Sequence, residues 1–191
     1  MKHTLIALAS ALALGSTAYA GSSDYVAPSS SSQMASSPLY KWFAGASVGY
    51  FTQADEAYYT LHFGMKFAET GPVSHSVLIE GLYTQVDETF STTDVVPVTL
   101  NYKFDYQITP ALSAYAGVGA GVAFLDIDGA FGSDNKTALA AQAFIGLGYD
   151  ITPAFQVYGG GRYLWVDRTR AGFTKVDMDD YGVELGAKFR F

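Results

Sequence analysis

The sequence predicts an all-β fold, an eight-stranded antiparallel up-and-down transmembrane β-barrel. Three observations predict it. Eight segments alternate bulky apolar residues with small or polar ones at period 2, which is the period of a strand. The links between those segments are alternately long and short. The last stretch, Asp180 to Phe191, is itself such a strand and finishes on an aromatic residue.

Composition agrees with this. A chain of 191 residues suits one domain. Charged residues make up 15 % and aromatics 15 %, with 14 Tyr, 13 Phe and 20 Gly. A soluble domain carries about 25 % charge. Yet no stretch beyond the first residues reaches the roughly 20 consecutive apolar residues of a membrane helix. Apolar surface is therefore spread along alternating strands. The net charge of -7 argues against nucleic acid as a partner, since phosphate binding needs basic patches. No cysteine is present, so disulfides, zinc thiolates and a cysteine nucleophile are excluded.

The chain opens with Met1-Lys2-His3, an apolar run from Leu5 to Leu14, and Ala18-Tyr19-Ala20. That is the pattern of a secretory signal peptide over 1–20, cleaved near Ala20. The run is too short to span a bilayer, and without Cys at the cleavage point no lipoprotein anchor is expected. Residues 21–38 are Ser-rich, with Ser29 to Ser32 in a row and Pro28 and Pro38 at either side. This composition buries no core and reads as a flexible tail. The barrel is expected over 39–191.

The eight segments are about 39–51, 58–68, 74–86, 95–107, 112–125, 139–150, 155–166 and 180–191. The first sets Ala44, Ala46, Val48 and Tyr50 against Gly45, Ser47 and Gly49. The second sets Tyr59, Leu61, Phe63, Met65 and Phe67 against Thr60, His62, Gly64 and Lys66. In the third, Val77, Ile79 and Tyr83 oppose Ser76, Glu80 and Thr84. In the fourth, Val96, Val98, Leu100, Tyr102, Phe104 and Tyr106 oppose Thr99, Asn101, Lys103 and Asp105. The fifth opposes Ala114, Ala116, Val118, Val122 and Phe124 to Tyr115, Gly117, Gly119 and Gly121. The sixth opposes Leu139, Ile145, Leu147 and Tyr149 to Gln142, Gly146, Gly148 and Asp150. The seventh opposes Phe155, Val157, Tyr163 and Trp165 to Tyr158, Gly160 and Arg162. In the last, Tyr181, Val183, Leu185, Ala187, Phe189 and Phe191 oppose Asp180, Gly182, Glu184, Gly186, Lys188 and Arg190.

Short turns follow segments two, four and six. They contain Pro72, Pro110 and Pro153, residues whose fixed φ suits a turn and which end a strand. Longer, mostly acidic links follow segments one, three, five and seven: 53–56, 87–94, 126–137 and 167–180. Tyr106-Gln-Ile-Thr-Pro-Ala111 returns one hairpin later as Tyr149-Asp-Ile-Thr-Pro-Ala154, followed in each copy by a Tyr and a Gly. An eight-stranded barrel has an interior just wide enough for side chains. The bulky face is therefore expected outward, toward lipid, and the small residues and isolated charges inward.

The terminal strand carries a polar residue, a glycine two on, and aromatics three and five after the glycine: Glu184, Gly186, Phe189 and Phe191. This resembles the terminal signal of bacterial outer-membrane β-barrels. With the short-turn, long-link layout, the chain resembles the small eight-stranded outer-membrane proteins of the OmpA and OmpX type and the related opacity proteins. The resemblance implies a monomer in a Gram-negative outer membrane. The Ser-rich tail and the proline turns would face the periplasm, the acidic loops the exterior. It implies outer-membrane lipid and the barrel assembly machinery as partners, the latter reading the C-terminal strand. It departs from OmpA in that no wall-binding domain is expected after Phe191. It departs from OmpX, whose strands run well past the membrane, in that several loops look short.

Catalysis finds little support. Outer-leaflet acyl chemistry needs a nucleophile beside a base. His3 leaves with the signal peptide, His75 lies near a periplasmic turn, and His62 faces inward. The Gly117-Gly119-Gly121 and Gly159–Gly161 runs lie inside strands and lack a phosphate-loop spacing. Asp126-Ile-Asp128-Gly129 has its glycine too early for a calcium loop and no closing Glu. No cofactor and no metal is expected. The inward charges are His62, Lys66, Glu80, Lys103, Asp105, Asp150, Arg162, Glu184, Lys188 and Arg190, and buried charges must pair. Folding about Gly71 sets His62 opposite Glu80, and Arg162 must reach across the lumen to Glu80 or Glu184. The expected function is a non-enzymatic barrel, plugged by this network, that supports the envelope and presents acidic loops. The alternatives are a narrow pore and, third, a lipid-modifying enzyme.

Overall fold

A computed structural model describes residues 41–88, 91–129, 132–171 and 174–191. The expected signal peptide and tail, 1–20 and 21–38, lie outside the described residues. Eight strands follow one another: β1 (Trp42–Phe51), β2 (Glu56–Thr70), β3 (Val73–Glu88), β4 (Ser91–Gln107), β5 (Leu112–Gly129), β6 (Gly132–Asp150), β7 (Phe155–Ala171) and β8 (Thr174–Arg190). Each pairs antiparallel with the next, and β1 pairs with β8, so the sheet is a closed barrel. Closure leaves no strand edge, as a bilayer requires. At the seam, Phe191 N–H donates to the Trp42 carbonyl at 2.9 Å and Trp42 N–H donates to the Phe191 carbonyl at 3.1 Å.

The three proline turns lie at one end. Gly71 turns β2 into β3 with φ 59°, a left-handed conformation that glycine adopts without strain. The repeated sequence builds a repeated turn. Thr109 Oγ1 accepts from the N–H of Leu112 at 2.9 Å, and Thr152 Oγ1 accepts from that of Phe155 at 3.0 Å. Side-chain oxygens of this kind hold the chain reversal in place of a ladder bond.

At the other end the structure corrects the expected long links. Among the described residues, 52–55 is the one of these links that forms a loop between strands. Asp180, from β8, caps it by accepting the N–H groups of Gln53 and Ala54 at 2.9 and 2.7 Å. Elsewhere the strands continue through the acidic stretches, with β3 and β4 paired to Glu88↔Ser91, β5 and β6 to Gly129↔Gly132, and β7 and β8 to Ala171↔Thr174. The contrast drawn above with OmpX on strand length therefore falls away. Polarity misled the sequence reading: once a strand leaves lipid its outer face turns polar, but the ladder hydrogen bonds persist.

The outward face is apolar around the barrel. Val48, Leu61, Ile79, Leu100, Val118, Ile145 and Leu185 form an exposed aliphatic band, with Ile145 67 % and Leu185 70 % exposed. Aromatic pairs flank it, Trp42–Phe63 at 5.4 Å between centroids near the turn end and Tyr163–Tyr181 at 4.8 Å near the other. An apolar belt between aromatic girdles is the outer surface of a membrane barrel.

The inward face holds more bulk than expected. Phe43, Phe51, Tyr58, Tyr115, Phe144 and Leu164 are all buried there. The rings fit because glycines lie opposite them: Phe43 pairs with Gly64, Phe51 with Gly182, Tyr58 with Gly49, Phe144 with Gly117 and Tyr115 with Gly146, and the half-buried Tyr158 pairs with Gly186. A Cβ added at Gly49 would sit 2.2 Å from Tyr58 Cζ, and one at Gly117 2.3 Å from Phe144 Cζ. Each ring thus lies over a neighbouring glycine, and the lumen fills without widening. Gly49→Val should destabilise the barrel by about 1–3 kcal/mol, the usual cost of overpacking. The urea midpoint of protein folded in lipid vesicles measures this, and an unshifted midpoint would refute it.

Candidate functional site in the lumen

The candidate site follows from the register. His62 pairs with Glu80 across β2 and β3, and alternation turns both inward. Arg162 enters from β7 and Glu184 from β8. Arg162 Nη1 donates to Glu80 Oε1 at 2.5 Å and Nη2 to Oε2 at 3.2 Å. Its Nε and Nη2 reach Glu184 Oε2 at 3.1 and 3.0 Å. One guanidinium thus bridges two carboxylates from opposite walls, the fork geometry arginine suits best. The guanidinium carbon lies 5.5 Å from the Phe144 ring and 5.9 Å from the Tyr58 ring. His62 Nδ1 stands 3.9 Å from Glu80 Oε2.

Neutral polar groups complete the cluster. Gln142 Oε1 accepts from Arg162 Nη1 at 2.5 Å, and Gln142 Nε2 donates to Glu80 at 2.8 Å and to Asn101 Oδ1 at 2.7 Å. Ser47 Oγ donates to Glu184 at 3.3 Å and shares a hydrogen with Thr60 at 2.7 Å. The sequence expectation counted charges alone and so passed over Gln142, Asn101 and Ser47. Their inward alternation was the available signal.

The lumen is layered. Toward the loop end, Phe51, Tyr58, Leu82, Val95, Leu125 and Leu164 form part of a buried apolar cluster. The Arg162 cluster lies below it. Toward the turn end a second charged group appears: Lys103 Nζ bonds Asp105 at 2.6 Å, Arg190 Nη2 bonds Asp150 at 2.9 Å, and Lys188 Nζ stands 5.2 Å from the Phe43 ring. This group borders a vestibule of about 390 Å³, also lined by Pro72, Pro110 and Pro153. The expected single network is thus two groups. Lys66 joins neither: it pairs with Glu69 at 3.4 Å at the half-exposed rim, because a bulge between Lys66 and Ala68 interrupts the register of β2 there.

The closed sheet, the outward apolar belt and the polar lumen describe a membrane barrel, and the model for the outer membrane protein beta-barrel domain matches residues 5–191. The chain belongs to this family. Membership implies the Gram-negative outer membrane. No curated protein sequence matches the chain. Among solved structures it is similar to Neisserial surface protein A, at 11 % identity and TM-score 0.61 over 80 % of this chain and 97 % of that one. It is similar to the N-terminal β-barrel domain of Pseudomonas aeruginosa OprF, at 14 % identity and TM-score 0.56 over 80 % and 98 %. It is also similar to the outer membrane enzyme PagL, at 15 % identity and TM-score 0.51 over 78 % and 99 %. At these identities the likeness is one of fold.

In an outer-membrane barrel the short turns face the periplasm, so the vestibule opens there and the capped 52–55 loop lies outside. The four residues of the terminal motif sit on both faces of β8. Glu184 holds Arg162 and Gly186 underlies the Tyr158 ring, a Cβ there falling 2.4 Å from Cζ. Phe189 and Phe191 face lipid, their centroids 6.5 Å apart. His75, expected near a turn, lies outward in β3, its Nδ1 2.6 Å from the Tyr102 hydroxyl and its ring against Phe104.

Proposed function

We propose that this outer-membrane barrel is a closed, non-enzymatic envelope protein that displays acidic loops to the exterior. The observation that carries this is the filled lumen: an apolar layer lies directly on the bridged Arg162 cluster, and both span the interior. Asp55, Asp126, Asp167 and Asp179 are exposed at the outer end and give it a negative surface for contacts outside the cell. Envelope support follows from a closed barrel wall whose strands all pair with their neighbours in the bilayer. Chemistry at the outer leaflet finds no constellation among the described residues. His62 is enclosed beside Glu80, and His75 lies at the periplasmic end, bonded to a tyrosine rather than a serine. Outer-membrane lipid and, through the terminal strand, the barrel assembly machinery are the partners of this reading, and the protein acts as a monomer.

Single-channel recording on the purified protein in a planar bilayer tests the closed lumen. Conductance should be absent or small and brief. A large, steady open level would overturn the reading and favour the narrow pore, for which the periplasmic vestibule would be the entrance.

A further inference from the structure

His75 puts an imidazole on the lipid-facing surface. It lies two residues inside the start of β3 at the turn end, opposite Ala68 of β2 and Phe104 of β4. Its Nδ1 is 2.6 Å from the Tyr102 hydroxyl. Three rings hold the imidazole in place: Phe104 edge-on at 5.7 Å between centroids, Tyr102 stacked at 6.0 Å and Phe67 tilted at 6.2 Å. Among the described residues nothing bonds its Nε2.

A bond between an imidazole nitrogen and a hydroxyl uses one hydrogen. If Tyr102 donates to Nδ1, the imidazole hydrogen sits on Nε2. If Nδ1 donates to Tyr102, the phenolic hydrogen is released. A protonated imidazole frees both. Every state therefore leaves this pair at least one hydrogen to donate. Besides the rings, its outward neighbours on the ladder include Ala68, Val73 and Val77. None carries negative charge, and Glu69 pairs with Lys66 at the vestibule instead. The acceptor therefore comes from outside the chain.

The height of the pair says which acceptor. Trp42, Phe63, Phe189 and Phe191 continue the same aromatic girdle around the barrel, and such girdles sit at the level of lipid headgroups. Water could take the hydrogen there, but a phosphate accepts it as an anion, in a charge-assisted bond roughly twice as strong as a neutral one. We propose that His75, oriented by Tyr102, holds the phosphate of a phospholipid in the periplasmic leaflet, Nε2 donating to a phosphate oxygen. Phe67 and Phe104, 55 % and 37 % exposed, lie beside the chains of that lipid. The lipid partnership proposed above thereby gains a residue, a lipid group and a leaflet. Because the contact depends on the place of the barrel in the membrane and not on its lumen, a conducting channel would leave it standing.

Nitrogen–phosphorus recoupling in solid-state NMR reads the contact. The barrel is isotope-labelled only in its histidine nitrogens and sits in bilayers of phosphatidylethanolamine and phosphatidylglycerol, in phosphate-free buffer. The His75 Nε2 signal should lose most of its intensity under phosphorus recoupling, while His62, enclosed in the lumen beside Glu80, should lose none. An undiminished His75 signal in a barrel that has entered the bilayer overturns the proposal and leaves water as the acceptor. An equal loss with inorganic phosphate in phospholipid-free micelles overturns the lipid assignment. His75→Phe keeps a ring in the cluster and removes the nitrogens. By native mass spectrometry it should retain several-fold less phospholipid than the parent and the same amount of diacylglycerol, which lacks the phosphate. Undiminished phospholipid retention in the variant also overturns the proposal. Should the variant fail to fold, the spectrum of the unmodified barrel still decides.

Discussion

Arg162→Ala should cost about 3–5 kcal/mol of barrel stability, the loss seen when one partner is cut from a buried ion pair. Glu80 and Glu184 are 4 % and 5 % exposed. Without the guanidinium they face each other across the lumen with Gln142, Ser47, the Tyr58 hydroxyl and nearby His62 left to answer them. The alanine also leaves the Phe144 and Tyr58 rings without the group packed between them. Guanidinium chloride unfolding in lipid vesicles measures the change, and stability equal to the parent would sink the argument. Arg162→Lys separates charge from geometry: it keeps the cation but loses the fork that bonds both carboxylates, so it should fall between alanine and parent. The triple change Arg162→Met, Glu80→Leu, Glu184→Leu should recover most of the loss, because replacing a whole buried ion group by apolar residues is often near neutral. None of these should produce a steady open channel, since Phe51, Leu125 and Leu164 still close the lumen above.

Much of this arrangement was legible in the residues, for particular reasons. Period 2 is insensitive to where a strand ends, so the facing of Arg162, Glu80 and Glu184 followed even though several strand ends did not. The turn itself pairs Thr70 with Val73, a register that, carried straight on, would set His62 opposite Gly81; the bulge between Lys66 and Ala68 shifts it by one residue and gives the expected His62 and Glu80 pair. The Arg162 reach followed from scarcity: its own strand offers no inward acid. What stayed hidden depends on pairing between strands. That Tyr58 lies over Gly49 and Phe144 over Gly117 is a fact about register across two strands, invisible while each strand is read alone. The Lys66 bulge shifts one residue relative to its neighbours, and no composition signals it. The split of the charges into a central and a periplasmic group reflects height along the barrel axis, set by the stagger of strands as the sheet closes.

Removing Phe191 should lower the amount of folded barrel in the outer membrane several-fold while leaving export across the inner membrane unchanged. The residue closes the seam. Its N–H and carbonyl bond Trp42, and its ring lies 6.3 Å from Phe63 and 6.5 Å from Phe189 in the periplasmic girdle. Deletion forfeits two hydrogen bonds of about 0.5–1.5 kcal/mol each and aromatic contacts of about 0.5–1.5 kcal/mol each. A finished barrel with a closed ladder on every strand should survive such a loss, so a reduced yield would point to assembly rather than to the stability of the product. Phe191→Ala keeps the two backbone bonds and deletes only the ring. In cells it should behave like the deletion, and Phe191→Trp should behave like the parent, if the assembly machinery reads an aromatic at this position. Refolding of the same variants from urea into vesicles, where no machinery is present, supplies the contrast: Phe191→Ala should fold there at close to the parental rate. Equal slowing in cells and in vesicles would assign Phe191 to closure alone. An unchanged yield of the deletion in cells would remove the terminal signal altogether.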